Sequence, residues 1–320
     1  MNERKMVSSH SLHKTDSKMK CPPFLKLNDK VVILSPSGNI FPQYVETTNR
    51  ILQEWGLKVT ISENALRETG RFSGFVEQRL HDLQKALDDP DIKMIFCSRG
   101  GYGAVHLLDK LDFSAVKKNP KWLVGYSDIT ALHSAFQSQG LMSIHAPMSE
   151  HFAQEGGTNL SVLYTKKAVS GGDLNYTIPV ERAYHNRLGR ASGTLFGGNL
   201  TVFTSLLGSN YIKIPRNGIL FIEDIGEEPY RIDRMIYQLK LSGIFNNLKG
   251  LIVGQFTEYE EDNKMYTTLS ESILWAIKEF DFPVCFDFPV GHTRINLPMI
   301  MGGKSVLDIK KDTVSLKQRY

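Results

Sequence analysis

The stretch Lys121-Trp-Leu-Val-Gly-Tyr-Ser127-Asp-Ile-Thr-Ala-Leu-His133 predicts a short apolar strand, a tight turn and a helix. Ser127 lies on the turn. α/β hydrolases place a nucleophile there, because a sharp corner between strand and helix exposes the hydroxyl beside backbone N–H groups. The alternative is that Ser127 and Asp128 only cap the helix. The rest of the chain must decide between a nucleophile and a cap.

The same alternation of strand and helix runs from residue 30 to residue 145. Apolar runs at 31–34, 57–61, 93–97 and 142–145 read as strands, and amphipathic segments at 43–55 and 77–87 read as helices. A further helix is expected from the glycine-rich loop at 99–103 through residue 111. Strands that are apolar on both faces indicate a mostly parallel sheet with helices on both sides.

The pattern changes near residue 165 and a second unit begins near residue 190. Strands are expected at 218–223 and 248–256, helices at 200–207, 229–242 and 268–280, and a terminal hairpin at 305–309 and 313–316. We therefore predict a disordered tail over 1–22, an N-terminal α/β domain over 23–165, a linker over 166–189 and a C-terminal domain over 190–320.

Composition excludes several classes of function. The chain has 320 residues, 41% hydrophobic and 22% charged, and a net charge of +4 that comes largely from its first 20 residues. Without a basic stripe carrying aromatic residues, we expect no nucleic-acid partner. Three scattered cysteines and no apolar run of signal or membrane length predict a cytoplasmic protein without a membrane partner. No metal-binding spacing occurs, so we expect neither a metal nor a cofactor.

Three polar or glycine-rich loops follow strands of the predicted parallel sheet: 35–38, 99–103 and 126–128. The carboxyl ends of parallel strands lie at one edge, so these loops are expected to form one site. Arg99-Gly-Gly-Tyr-Gly103 is a poor dinucleotide fingerprint. Its glycines instead suit an oxyanion hole, or only a tight turn.

The second unit supplies partners for a serine nucleophile. Glu223 and Asp224 follow an apolar strand, and His292 lies in a loop flanked by glycine. A serine needs a base such as histidine, and the histidine needs a carboxylate to fix its tautomer. Ser127, Glu223 and His292 would supply these roles in the order known from α/β hydrolases. Helix-start carboxylates and an ordinary loop histidine are the alternatives.

Six motifs together resemble the LD-carboxypeptidase (muramoyl-tetrapeptide carboxypeptidase) family of Ser-Glu-His serine peptidases, which includes the microcin C immunity peptidases. They are Ser35-Pro-Ser-Gly, Cys97-Ser-Arg-Gly-Gly-Tyr-Gly, Gly125-Tyr-Ser-Asp-Ile-Thr-Ala-Leu-His, Phe196-Gly-Gly-Asn-Leu, Phe221-Ile-Glu-Asp-Ile-Gly-Glu-Glu-Pro-Tyr-Arg-Ile-Asp-Arg and Pro289-Val-Gly-His.

This resemblance implies a flavodoxin-like N-terminal domain with a mostly parallel sheet and a smaller, β-rich α/β C-terminal domain, with the site between them. It implies a triad of Ser127, Glu223 and His292, with Asp224 outside it, and an oxyanion hole from the backbone N–H groups of Gly101 and Asp128. It further implies a homodimer that removes the terminal D-alanine of murein tetrapeptides during peptidoglycan recycling. Our candidates for binding the substrate are Arg99, Tyr102, His145 and Arg231.

Two other functions stay open. One is a microcin C-type peptidase that cleaves aminoacyl-nucleotide-like amides, and the other is a non-catalytic α/β module that binds peptides or sugars. The chain also departs from the family pattern at Val76, at Ala146 and at Ile129, which fills the last position of the Gly-x-Ser-x-Gly elbow. None of these departures removes a triad member.

Overall fold

Two β-sheets organise the computed structural model, which describes residues 19–180, 185–265 and 267–320. The strands of the first sheet are β1 (Lys30–Leu34), β2 (Lys58–Ile61), β3 (Ile92–Cys97), β4 (Trp122–Gly125) and β5 (Ser143–His145). These five are parallel in the order 2-1-3-4-5. That is the flavodoxin-like order, as expected from the resemblance.

Helices cover this first sheet. They are α1 (Pro42–Glu54), α2 (Val76–Asp88), α3 (Ser114–Lys118), α4 (Thr130–Ser138), α5 (Ser149–Ala153) and α6 (Leu160–Val169). The helix expected through residue 111 is a 3₁₀ helix, Ala104–Lys110. It follows Gly103, whose φ of 117° is a left-handed conformation that favours glycine.

The second sheet has seven strands: β6 (Leu174–Pro179), β7 (Gly189–Asn199), β8 (Gly218–Ile225), β9 (Leu248–Thr257), β10 (Val284–Cys285), β12 (Lys304–Ile309) and β13 (Thr313–Arg319). Their order is 10-9-8-7-12-13-6, parallel from β10 to β7 and antiparallel beyond. Helices α7 (Leu200–Ser205), α8 (Pro229–Leu241) and α9 (Leu269–Ala276) complete this half. α9 is shorter than the helix expected over 268–280.

The chain crosses between the two halves at several points. A short strand, β11 (Met299–Met301), leaves the second half and pairs antiparallel with β5 at the edge of the first sheet. The segment expected as a linker over 166–189 holds the end of α6 and strand β6, which pairs with β13. The domain boundaries therefore stay a prediction.

The two halves also share their apolar core. Leu123 of β4 and Phe196 of β7 belong to one continuous buried cluster, and Val124 and Phe221 belong to another. Neighbouring residues of β4 belong to different clusters, because successive side chains of a strand point to opposite faces. Burial of this kind fixes the halves against each other, which matters for a site built from both.

Part of the predicted tail joins the folded structure, and the three cysteines are wholly or partly buried. Of the predicted tail, residues 1–18 lie outside the described part, whereas Lys20 forms a parallel bridge with Leu141. Cys97 and Cys285 are buried, as predicted, and Cys21 is half-buried. In the described ranges, no helix is long and apolar enough to cross a membrane. Those ranges also hold no group of three or more His, Cys, Asp or Glu side chains suited to a metal ion.

Candidate active site

Ser127 lies at the corner between β4 and α4. Its φ is 63°, a left-handed conformation that a residue with a side chain adopts at a cost of about 1–3 kcal/mol. Such strain at a strand-to-helix turn is typical of a nucleophile elbow. The Ser127 hydroxyl does not cap the following helix; it contacts His292 of the second half.

Three side chains from separate segments meet at this corner. His292 Nε2 lies 3.0 Å from Ser127 Oγ, and His292 Nδ1 lies 2.7 Å from Glu223 Oε2. The serine and the carboxylate therefore occupy opposite sides of the imidazole, each within hydrogen-bond distance of a different ring nitrogen. This arrangement lets the ring accept a proton from the serine while it donates the other N–H to the carboxylate.

The charges around the ring favour its protonated form. Burial alone would lower the pKa of His292, but the hydrogen bond and negative charge of Glu223 outweigh burial, and Asp224 and Glu258 add to them. The pKa of His292 is therefore raised above its ordinary value of 6.5. Glu223 itself is fully buried at the end of β8.

Asp224 faces other partners. Its carboxylate accepts hydrogen bonds from the side chain of Asn199, from the backbone and hydroxyl of Thr201, and from the backbone of Ile225. The carboxylate thereby binds the start of α7. Burial raises the pKa of Asp224, and the neighbouring charge of Glu223 raises it further.

The two predicted oxyanion donors lie in loops that pack tightly around Ser127. A Cβ atom on Gly100 would come within 3.0 Å of Ser127 Oγ and 3.3 Å of the backbone nitrogen of Asp128, so only glycine fits this close approach. Gly101 has a φ of 100° and lines the cleft beside the serine. Both loops therefore pack closely against Ser127.

A cleft of about 480 Å³ opens beside these residues. Its walls come from both halves and combine apolar and aromatic side chains, namely Ile40, Phe41, Tyr44, Met148 and Ile225. The acidic and basic side chains that line it are those of Arg99, Glu150 and Glu258. Among the described residues that line the cleft, Arg99 is the only arginine or lysine.

Of the four candidates for substrate binding, only Arg99 lines the cleft among the described residues. Its Nη1 donates to the carbonyl of Asn39 at 2.6 Å. His145 does not lie on the rim but is fully buried, with its ring packed 4.9 Å from the ring of Phe221 in the second half. Arg231 lies on exposed α8 and pairs with Glu227 at 3.7 Å. Tyr102 packs against His106, and it does not line the cleft in this structure.

Sequence reasoning missed several cleft residues. Tyr126 packs its ring 4.9 Å from the His292 ring, and His151 donates from Nε2 to the carbonyl of Thr293 at 3.0 Å. Glu150 and Glu258 supply negative charge. Tyr126 and Glu258 carried a usable signal, because each directly follows a parallel strand, β4 or β9, at the carboxyl edge of its sheet.

Comparison with known proteins decides the family. Residues 31–146 match the LD-carboxypeptidase N-terminal domain, and residues 192–307 match the LD-carboxypeptidase C-terminal domain. The probable murein peptide carboxypeptidase of Bacillus subtilis (strain 168) is 31% identical over 92% of this chain and 94% of its own. The chain belongs to the LD-carboxypeptidase family. It is accordingly a serine-type carboxypeptidase, which favours an enzyme over a non-catalytic binding module.

Other members of the LD-carboxypeptidase family extend the likeness. The crystal structure of muramoyltetrapeptide carboxypeptidase from Oxalobacter formigenes superimposes with a TM-score of 0.83 at 28% identity, covering 91% of this chain and 99% of that one. The microcin C7 self-immunity protein MccF of Escherichia coli is 26% identical over 98% of each chain. The fold of the LD-carboxypeptidases is thus the fold of this chain.

Proposed function

We propose that Ser127, Glu223 and His292 are the catalytic triad of a carboxypeptidase that cleaves the L,D-peptide bond to the terminal D-alanine of murein tetrapeptides. The observation that carries this proposal is the contact of His292 with Ser127 and Glu223 at 3.0 and 2.7 Å inside a cleft. The names of the Bacillus subtilis and Oxalobacter formigenes relatives support the choice of substrate.

In this mechanism Ser127 Oγ attacks the carbonyl carbon of the penultimate residue while His292 Nε2 takes the hydroxyl proton. Glu223 stabilises the imidazolium that forms and keeps Nδ1 protonated. The tetrahedral intermediate collapses, His292 gives its proton to the leaving amine, and D-alanine departs from an acyl-enzyme. A water molecule, activated by His292, then hydrolyses the ester and restores Ser127.

Two further sets of groups stabilise negative charge on the substrate. The backbone N–H groups of Gly101 and Asp128 stabilise the oxyanion, a role supported by the close packing of their loops around the serine. Arg99 binds the free carboxylate of D-alanine, because a guanidinium forms charge-assisted hydrogen bonds to a carboxylate and no other lining arginine or lysine is available among the described residues.

Release of D-alanine from a murein tetrapeptide by the purified protein tests this function. The Ser127→Ala variant should lose at least about 10⁴-fold in kcat, as removal of a triad nucleophile does elsewhere. Ser138→Ala, which removes a hydroxyl from the last residue of α4, is the matched control and should keep full activity. Wild-type protein that releases no D-alanine, or an active Ser127→Ala variant, would refute the assignment.

A second candidate is cleavage of aminoacyl-nucleotide-like amides, as in the microcin C-type peptidases. It is favoured by the exposed Phe41 ring on the cleft wall beside Tyr44, since an aromatic wall can stack on a base. Hydrolysis of such a conjugate without hydrolysis of the tetrapeptide would establish it instead. Both candidates require the same triad.

The biological setting is part of the same proposal. A place in peptidoglycan recycling and a homodimer are proposals that derive from the family, and a cytoplasmic location is a proposal that derives from the sequence. Sedimentation of the purified protein tests the dimer. Accumulation of tetrapeptides in the soluble fraction of cells that lack the protein, reversed by wild type but not by Ser127→Ala, tests the other two.

A further inference from the structure

The loop that carries His292 is fastened to the first half of the chain. It runs over residues 289–298, between β10 and β11. Three hydrogen bonds join it to residues around α5 and α6: His151 Nε2 donates to Thr293 O at 3.0 Å, Asn159 Nδ2 donates to Arg294 O at 3.1 Å, and Asn296 N donates to Ser161 Oγ at 2.9 Å. The position of His292 therefore depends on contacts outside the triad.

Asn296 also closes the loop on itself. Its Oδ1 accepts a hydrogen bond of 3.0 Å from the backbone nitrogen of Gly291, the residue directly before His292. Gly291 has a φ of 126°, and a Cβ atom there would lie 3.0 Å from both Cβ and Oε2 of Glu223. The peptide that Asn296 holds is thus packed against the triad carboxylate, so a small shift of that peptide moves His292 relative to Glu223.

The amide nitrogen of Asn296 and the ring of His145 form an unusual buried pair. Both residues are fully buried, and His145 pairs with Met299, three residues after Asn296. No hydrogen bond of normal geometry reaches Asn296 Nδ2 or either ring nitrogen of His145 in the described part of the chain, although the Asn296 side chain lies close enough to His145 to influence its protonation as a hydrogen-bond partner. The His145 ring lies 5.7 Å from the ring of Tyr126, which in turn packs on His292. Buried polar groups are normally satisfied, and here the amide donor and the ring acceptors are complementary.

The electrostatics of His145 make its ring an acceptor. Burial lowers the pKa of His145 well below its ordinary value, with smaller contributions from His133 and His292, while the nearby Asn296 side chain acts in the opposite direction. The ring is therefore neutral, and one of its nitrogens can accept a hydrogen bond from an amide N–H group. Catalytic hydrogen bonds are often long without substrate and shorten in the complex.

We propose that Asn296 and His145 are positioning residues for His292: Asn296 holds the Gly291 peptide through Oδ1, and its Nδ2 donates to a ring nitrogen of His145 when substrate is bound. The pair joins the end of β5 in the first sheet to the loop of the second half, so the packing of the two halves sets the alignment of the imidazole. This inference rests on the proposed triad and names residues that touch neither the substrate nor the reacting atoms.

Kinetics of Asn296→Ala give the first test. Misplacing a catalytic group by about 1 Å costs about 100-fold in rate, so kcat should fall by that order while KM stays within about threefold. Gln318→Ala is the matched control, because Gln318 is a fully buried amide whose hydrogen bonds go to the backbone of Ile300 and to the hydroxyl of Ser305 and not to the loop that carries His292. It should lower stability and leave kcat unchanged. A rise in KM alone for Asn296→Ala, or an equal loss of kcat in both variants, would overturn the proposal.

Two substitutions of His145 separate its acceptor from its bulk. His145→Phe keeps a ring but removes both nitrogens and should lower kcat by about tenfold, less than the loss in Asn296→Ala because the contact to Gly291 remains. His145→Gln restores an acceptor oxygen and should recover most of that loss. In the double variant, kcat should fall no further than in Asn296→Ala, because partners in one network are not additive. Full additivity, or no rescue by glutamine, would contradict the proposed contact.

A proton resonance makes the test independent of the substrate. The proton on His292 Nδ1, shared with Glu223, should give a downfield signal in wild type that is absent in His292→Ala. In Asn296→Ala this signal should shift or broaden, and in Gln318→Ala it should not. If wild type shows the signal but cleaves no tetrapeptide, the proposed substrate fails while the positioning role is still decided by the resonance. An unchanged resonance in Asn296→Ala would refute the positioning role.

Discussion

The carboxylate of Asp128 accepts a hydrogen bond of 2.6 Å from the hydroxyl of Ser37, and this contact joins the loops that follow β1 and β4. The same oxygen accepts a second bond, of 2.8 Å, from the backbone nitrogen of Ala104, just after the glycine-rich loop. All three groups are buried. One carboxylate therefore holds together the three loops that were expected to share an edge, and it sets the wall of the cleft beside Ser127.

Asp128→Ala should lower the free energy of unfolding. It should also lower kcat, because the Asp128 carboxylate sets the wall of the cleft beside Ser127. The substitution removes two charge-assisted hydrogen bonds and leaves the Ala104 N–H buried without a partner, which together cost about 3 kcal/mol in the free energy of unfolding. Ser37→Ala removes only one of the bonds and should cost about half as much. Urea unfolding of both variants measures the difference. Equal stabilities of the two variants would show that the bond to Ala104 contributes nothing.

Glu223→Gln should disable the enzyme without unfolding it. A glutamine amide nitrogen facing Nδ1 favours the wrong tautomer of His292, and the corresponding change in other triads lowers kcat by about 10⁴-fold. The neighbouring Asp224→Asn serves as a contrast, because that carboxylate accepts several hydrogen bonds around α7 and its loss should appear mainly in thermal stability. Steady-state kinetics and thermal melts of both variants distinguish a catalytic from a structural carboxylate. Near-wild-type kcat in Glu223→Gln would exclude Glu223 from the triad.

The pH dependence of activity follows from the raised pKa of His292. The histidine must be neutral to accept the serine proton, so kcat/KM should fall on the acid side with a midpoint above 6.5. In Glu223→Gln the residual activity should show a lower midpoint, because the main cause of the rise is gone.

As pH rises, the contribution of His292 to the free energy of unfolding should decrease, whereas activity should increase. The folded state binds the His292 proton more tightly than the unfolded chain does, so this group stabilises the fold below 6.5 and the contribution is lost as pH rises through the folded-state pKa. Unfolding of wild type and His292→Gln across this range measures that contribution. A wild-type acid limb centred below 6.5 would contradict the assignment of His292 as the base.

The sequence predicted the first sheet and the corner at Ser127 because those features are local. Apolar runs that end in glycine-rich loops define parallel strands, and the ends of such strands share an edge. The burial of His145 could not be predicted in this way. It depends on residues that lie far along the chain: the ring of Phe221 packs 4.9 Å from the imidazole, and Met299–Met301 pairs with β5 at the edge of the sheet. The side chains of Tyr126 and His151 likewise face the cleft only because the second half closes over them.

The role of Arg99 can be isolated by changing the enzyme and the substrate together. Arg99→Ala should raise KM for a tetrapeptide with a free C-terminal carboxylate by about 10- to 100-fold, since a charge-assisted bond contributes about 1.5–3 kcal/mol. Arg99→Lys keeps the charge but loses the bidentate geometry of the guanidinium. Its KM should lie between those of wild type and Arg99→Ala. A C-terminally amidated tetrapeptide is the decisive control, because it lacks the carboxylate and should bind to wild type and Arg99→Ala with similar KM. If the arginine variant weakens both substrates equally, Arg99 shapes the cleft through its bond to Asn39 instead of reading the carboxylate.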